Sequence, residues 1–339
     1  KVFYVWFDAP IEYIAATWEW ADAKAAEAGR GHAEDAEWER WWRGPEAADV
    51  TYVEFMGKDN VPFHTVGFPC TLIGANERLE ADGSWRPANN APWKLVDELK
   101  GFNWLDYYGG KFSTSQKRGV FMDHALELLA PDYWRWWVSA NTPETSDATF
   151  TWEQFQVQVN ADLADVLGNF VNRILKFTET RFEGVVPAGG EPTELETKLY
   201  ADVDAKLAEL TAHLEGREFR KSTTALRQLW VLGNQYLTEA APWTAIKTDP
   251  ERAAIVVRTG LNLVALFAKV SEPFIPFAAE KIAMGVGEDF PGVWPTAQGA
   301  AILDILPAGR AVQAPEVLFK KVENEQVAEW VARFGGAEG

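Results

Sequence analysis

The chain has 339 residues, enough for about two domains, and its 47% hydrophobic content suits buried cores. Its 32 Lys and Arg against 50 Asp and Glu leave a net charge of −18, which excludes non-specific coating of nucleic acid but not a local basic patch. The single cysteine, Cys70, excludes an internal disulfide or a cysteine-based zinc site within the chain and fits a reducing, cytoplasmic setting; the longest apolar run, near 253–268, is broken by Arg258, so no membrane span is expected.

Residues 2–6, VFYVW, read as a buried parallel strand. A domain rarely begins with its central strand, so further residues are expected before Lys1. Asp8-Ala9-Pro10 follows at once, and Asp as a cap with Pro in the first turn starts a helix. Trp6 and Asp8 then stand at the carboxyl end of a strand, where open α/β sheets hold ligands, with Tyr13 one turn on. A core Trp, a capping Asp and a packing Tyr fit the same pattern. Residues 19–46 carry Trp20, Trp38, Trp41 and Trp42 among charges and read as two helices joined at 29–32. His32 has no second ligand nearby and reads as solvated.

Residues 51–55 are the next strand; Gly57 ends it, Asp59 caps a helix, and His64 falls a turn and a half inside. A carboxylate at a strand end suits ribose hydroxyls or an ammonium, and a His donates to a carboxylate or accepts from a hydroxyl. A capped helix with its His satisfied in the core wall fits equally. Residues 72–104 are loop-rich, with a short helix at 94–99. Gly109 and Gly110 then open residues 111–119, KFSTSQKRG, with three cations and three hydroxyls. Such a stretch cannot pack as core. Its glycines let the backbone approach closely, and its amines and hydroxyls suit a polyanion. A solvated basic hairpin turn is the plain alternative. Helices follow at 124–129 and 133–139, the second carrying Trp134-Arg135-Trp136-Trp137, as in a helix pinned between domains.

After 141–147 the strands are expected to stop. Residues 153–183 form one long helix, with Leu163, Leu167, Phe170, Val171 and Ile174 on a 3.6-residue stripe and Asn169 and Arg173 stacked on the exposed face. Helices at 195–213 and 221–239 repeat the pattern; Gly233 takes a stripe position where a partner packs closely. Pro242 breaks the third, and Trp243 opens the next as a stacking platform or a buried Trp. Apolar helix continues over 253–286, interrupted at Pro273 and Pro276, and a last helix covers 325–333. This half is a helix bundle.

Six blocks in order carry a family resemblance: VFYVWFDAPIEYI, EFMGKDNVPFH, YYGGKFSTS, VNADLADVLGNFVNR, NQYLTEAAPW and WVARFGG. Together they resemble the latter two-thirds of the methionyl-tRNA synthetases, a class I aminoacyl-tRNA synthetase family. The resemblance implies α/β then all-α: the second half of a Rossmann-type parallel-sheet catalytic domain at 1–147, and a helix-bundle anticodon-binding domain at 148–339 whose C-terminal segment returns toward the catalytic domain. It implies activation of methionine with Mg2+-ATP, then transfer to tRNA(Met), by a monomer without a zinc site in this chain. Trp6, Ala9, Pro10, Tyr13 and His64 would line the methionine pocket. Gly57 and Asp59 would face the ribose or the substrate ammonium. Lys111, Ser113 and Ser115 match the KMSKS signature and would hold the triphosphate. Asn169, Arg173 and Trp243 match readers of the CAU anticodon.

The chain departs from the family in places. Thr114 replaces the second signature lysine, and Lys117, ahead of Arg118, is the expected substitute. Glu12 stands where the family often has glycine. The HIGH motif and the cysteine-bearing zinc insertion, which belong to the family's first half, are absent from the sequence, so the chain alone is expected not to activate methionine. The competing readings are a leucine or cysteine synthetase and a non-catalytic tRNA-binding protein.

Overall fold

The computed structural model describes residues 4–30, 37–87 and 92–336. The chain falls into two compact units, Lys1–Trp104 with Glu144–Ser146, and Leu105–Pro143 with Asp147–Gly339. The expected division at 147 differs from this one: the basic loop and the helices just after it pack with the helical half. His32 lies outside the described residues.

In the first unit, the expected strand at 2–6 is not observed among the described residues; Val5–Phe7 and Ala9–Ile11 are successive 3-10 turns. A short apolar run fits either state by periodicity, and Pro10 in the first positions of the second turn suits helical geometry. Asp8 makes no side-chain cap. Helices α1 (Glu12–Glu27) and α2 (Glu37–Trp42) follow, as expected. Strand β1 (Val53–Gly57) leads into the 3-10 turn Lys58–Asn60, then a wide π turn, Phe63–Gly67, and α3 (Phe68–Ala75). Asp59 lies inside the first of these turns rather than capping it. Strands β2 (Glu77–Leu79) and β3 (Trp85–Pro87) pair antiparallel.

The helix expected at 94–99 is instead a turn entering β4 (Glu98–Phe102), which runs parallel to β1 with Val53 opposite Glu98. The spacing of Leu95, Val96 and Leu99 mimics a helix. The Asp97 carboxylate instead accepts from the Tyr52 backbone N–H at 2.7 Å, which fixes the register of the parallel pair. Ile14, Trp42, Phe68 and Leu72 form the small core of this unit.

The second unit opens with β5 (Leu105–Tyr107), α4 (Met122–Leu128) and α5 (Pro131–Ala140). Strands do not stop at 147: β6 (Ala148–Phe150) pairs parallel with β5. The expected single helix over 153–183 is α6 (Trp152–Val159), a π segment at Asn160–Gly168, and α7 (Asn169–Arg181). The wide turns coincide with Asn160 reaching sideways, its amide donating to and accepting from the Val322 backbone at 2.9 and 2.8 Å.

Helices α8 (Glu194–Glu215), α9 (Phe219–Ala240), α10 (Pro242–Thr248), α11 (Pro250–Ser271) and α12 (Pro276–Gly285) complete the bundle, and α13 (Asn324–Phe334) packs back on α6. Helix α11 is long and apolar enough to cross a membrane, but it is the central core helix, buried from Val256 to Ala268 on most of its faces. Gly233 lets α9 approach closely: a Cβ there would sit 2.8 Å from the Phe170 ring and 3.2 Å from Phe267. Trp136 and Trp137 are buried inside this unit, with Trp136 4.7 Å from the Trp230 ring. A second aromatic cluster joins Trp134, Phe150, Trp152 and Phe155 to Trp330 of α13.

Candidate functional site

The first unit gathers an aromatic pocket around His64. The wide Phe63–Gly67 turn aims His64 inward until only 1% of it is exposed. Its Nδ1 lies 2.9 Å from the Asn60 carbonyl, which can only accept, so Nδ1 carries the proton. Nε2 is then an acceptor, and the Tyr13 hydroxyl donates to it at 2.9 Å. Trp6 meets the imidazole edge-on at 5.5 Å and stacks on Phe63 at 5.3 Å. Tyr13 also meets Phe68 edge-on at 6.3 Å. The result is a wall of three rings in which both imidazole nitrogens and the Tyr13 hydroxyl are engaged.

Ala9 is half-buried and Pro10 buried, both in the 3-10 turn between Trp6 and Tyr13. Tyr13 keeps 41% of its surface exposed, at the open side of the wall. Burial, then the charges of Glu54 and Glu12, push its phenol above the ordinary value. Glu12 itself is exposed at the start of α1. Gly57 closes β1 with open space where a Cβ would be, and Asp59 is exposed one turn before His64.

In the second unit, residues 113–118 form a tight hairpin. Ser113 and Arg118 exchange backbone hydrogen bonds at 2.9 Å, and Lys117 takes a left-handed conformation with φ 51° to close the tip. Lys111, Ser115 and Lys117 are exposed; Ser113 is half-buried, its Oγ 3.3 Å from that of Ser115. Arg118 is committed elsewhere. Its guanidinium donates to the Tyr107 carbonyl at 2.9 Å and fills the space beside Gly110, where a Cβ would sit 2.7 Å from it. Of the two cations weighed as substitutes for the lysine at 114, Arg118 therefore anchors the loop and Lys117 stays available. The Gly109-Gly110 pair gave the signal for this: Gly110 makes room for the guanidinium.

On the bundle, Asn169 is exposed at the first turn of α7, and Arg173 lies one turn on, half-buried. The Arg173 guanidinium sits 4.5 Å over the Trp243 ring. Trp243 is half-buried against the core edge at the start of α10, where Ala241 turns left-handed at φ 39°. All three side chains thus reach the surface of one unit, and two of them stack.

Sequence reading did not single out Phe63, which stacks on Trp6, or the Asn60 carbonyl that fixes the His64 tautomer. The first had no signal beyond being aromatic, and the second is a backbone atom.

A search of solved structures finds this fold in methionyl-tRNA synthetases. The apo form from Mycobacterium tuberculosis aligns with a TM-score of 0.71 at 22% identity, covering 95% of this chain and 56% of that one. The same organism's enzyme bound by methionyl-adenylate aligns at 0.69 and 21% identity, covering 85% of this chain and 52% of that one. Such a likeness shows that the fold is shared. The sequence is more specific. The family model for class I tRNA synthetases (M) matches residues 1–175, and that for the anticodon binding domain of methionyl tRNA ligase matches 186–339.

The chain therefore belongs to the methionine family of class I tRNA synthetases. Methionine–tRNA ligases of Caulobacter vibrioides and Caulobacter sp. strain K31 are 63% and 64% identical across all of it. That of Maricaulis maris is 55% identical over 99% of it. The chain spans 56%, 56% and 55% of their lengths, so it matches about half of each relative.

Proposed function

We propose that this chain supplies the methionine pocket, the phosphate loop and the anticodon reader of a methionine–tRNA ligase, and that activation needs a further segment bearing the rest of the ATP site. The observation that carries the reading is the Tyr13–His64–Asn60 chain beside Trp6. With both imidazole nitrogens and the phenol already engaged, the wall offers apolar, polarizable edges. That favours a thioether over a hydroxyl or a charge.

In the reaction, the methionine carboxylate oxygen attacks the α-phosphorus of ATP, and the bond to pyrophosphate breaks. The terminal ribose hydroxyl of tRNA then attacks the adenylate carbonyl and AMP leaves. Trp6, Ala9, Pro10, Tyr13 and His64 hold the side chain. Gly57 leaves room at the strand end for a sugar, and Asp59 offers a carboxylate to its hydroxyls or to the ammonium. Lys111, Ser113, Ser115 and Lys117 hold the phosphates and offset charge as pyrophosphate departs. Mg2+ enters such sites mainly on the phosphates, so the loop's part is to orient them. Asn169 and Arg173 read base edges, and Trp243 offers a ring for stacking. In this reading the protein works in the cytoplasm as a monomer.

The test is methionine-dependent ATP–pyrophosphate exchange, with the chain alone and with the remaining segment of the Caulobacter vibrioides relative supplied. Exchange with methionine, and only when both parts are present, is expected. Robust exchange by the isolated chain, or a preference for leucine or cysteine, would overturn the proposal.

A further inference from the structure

The turn that opens the basic hairpin places a bulky side chain where the backbone disfavours one. Tyr107 and Gly110 exchange backbone hydrogen bonds at 2.7 and 3.1 Å, and the residues between them, Tyr108 at φ 48° and Gly109 at φ 71°, are both left-handed. Turns of this kind favour Asn, Asp or Gly at the first of these positions, and a tyrosine there is strained.

The Tyr108 side chain shows what holds this turn. Its hydroxyl accepts from the Trp152 backbone N–H at 3.1 Å and donates to the Glu153 carboxylate at 2.7 Å. The Trp152 N–H is one of the donors that a helix leaves unpaired at its start, so Tyr108 caps α6 from outside. The ring of Trp152 in turn lies 4.9 Å from Trp330 and 5.8 Å from Phe334 of α13, and the Phe334 carbonyl accepts from the Gly119 N–H at 3.0 Å. The first turn of α6 thus anchors both ends of the hairpin.

We propose that Tyr108 is a positioning residue for the loop at 111–119: its hydroxyl fixes the strained turn to α6 and so sets where Lys111 and Ser113 meet the phosphates. Lys111 follows the turn directly. Ser113 is reached through Arg118, whose guanidinium donates to the Tyr107 carbonyl at 2.9 Å and whose backbone pairs with that of Ser113. Burial, then the bond to Glu153, pushes the Tyr108 phenol upward, so it stays a donor. Without its hydroxyl bonds the left-handed backbone at Tyr108 has less to offset its cost, and the turn relaxes. The inference rests on the reading of this loop as the phosphate holder and adds the residue that aims it.

The test begins with hydrogen exchange of the intact chain without substrates. In Tyr108→Phe the Gly110, Ser113 and Arg118 amides should exchange about tenfold faster, while those of α8 and α9 keep their rates. Glu153→Ala should loosen the same amides, and the double variant should be no looser than Tyr108→Phe alone. Tyr108→Asn accepts the left-handed turn but stops short of α6, so it should loosen the hairpin without lowering the urea midpoint. In the completed enzyme, Tyr108→Phe should raise KM for ATP about fivefold and leave KM for methionine within about twofold. A structural role alone would lower kcat and leave both KM values in place. Unchanged hairpin exchange in Tyr108→Phe, equal acceleration across the bundle, or an unmoved KM for ATP would overturn the proposal. If even the wild-type completed enzyme shows no methionine-dependent pyrophosphate exchange, the broader reading falls, and hydrogen exchange still decides whether Tyr108 holds the hairpin.

Discussion

Glu196 is the most informative side chain to perturb in the helical unit. It is fully buried, and its carboxylate takes a two-pronged bond from Arg252 at 2.7 and 2.8 Å and one from the Tyr236 hydroxyl at 2.6 Å. Tyr236 is on α9 and Arg252 on α11, so the clamp holds both flanks of α10, which presents Trp243. Burial alone would raise the Glu196 pKa. The bonds from Arg252, Thr193 and Tyr236 outweigh it and hold the carboxyl at about 2 against an ordinary 4.5. A drop of that size corresponds to about 3 kcal/mol, in line with the roughly 3–5 kcal/mol lost when one partner leaves a buried pair.

Because the folded-state pKa is depressed, this stability is fully present above pH 4.5 and is lost as pH falls toward 2. Urea denaturation of the wild type and Glu196→Gln should therefore show a gap of about 3 kcal/mol at pH 7. The gap should begin to close below the unfolded value of 4.5. Near neutrality the variant should also bind anticodon RNA more weakly, because α10 loses its clamp. A gap under about 1 kcal/mol at pH 7, or one that does not change with pH, would refute the reasoning.

Tyr13→Phe removes the partner of a buried imidazole nitrogen, which costs about 1–3 kcal/mol when water stays out. Tyr13 is 41% exposed, so water replaces part of the loss and the lower end applies. In the completed enzyme the expected result is roughly a fivefold rise in KM for methionine with kcat little changed, read by exchange kinetics. Gly233→Ala gains up to about 1 kcal/mol of helix propensity but drives a Cβ into the Phe170 ring, and overpacking of this kind costs about 1–3 kcal/mol. Net destabilisation near 1 kcal/mol is expected, measured as a lower urea midpoint at unchanged slope.

The bundle was largely legible because its signal repeats. Leu163, Leu167, Phe170 and Ile174 keep one face over several turns, and each is buried as the spacing requires. Gly233 was legible for the same reason, as a gap in a stripe. The α/β part was harder. Residues 2–6 and 94–99 are short, so a few apolar positions fit helix and strand alike, and long-range partners such as Tyr52 for Asp97 decided the outcome. The Phe63–Gly67 and Asn160–Gly168 π segments escaped because a widened turn leaves the apolar spacing almost unchanged. In the pocket, Trp6, Tyr13 and His64 were singled out as residues, but the Tyr13–His64 bond spans 51 positions and becomes visible only once the chain has folded. For Arg118, charge suggested a ligand contact, whereas Gly110 gives its guanidinium a place against the loop's own backbone.

The most direct test of the account is the affinity of this chain for an RNA stem-loop bearing the CAU anticodon, against the same stem-loop with the three bases replaced, at one salt concentration. The account predicts tighter binding of CAU by roughly tenfold or more, and loss of most of that preference in Trp243→Ala, since stacking of one base contributes about 1–3 kcal/mol. Equal affinity for the two RNAs, or a preference untouched by Trp243→Ala, would contradict it.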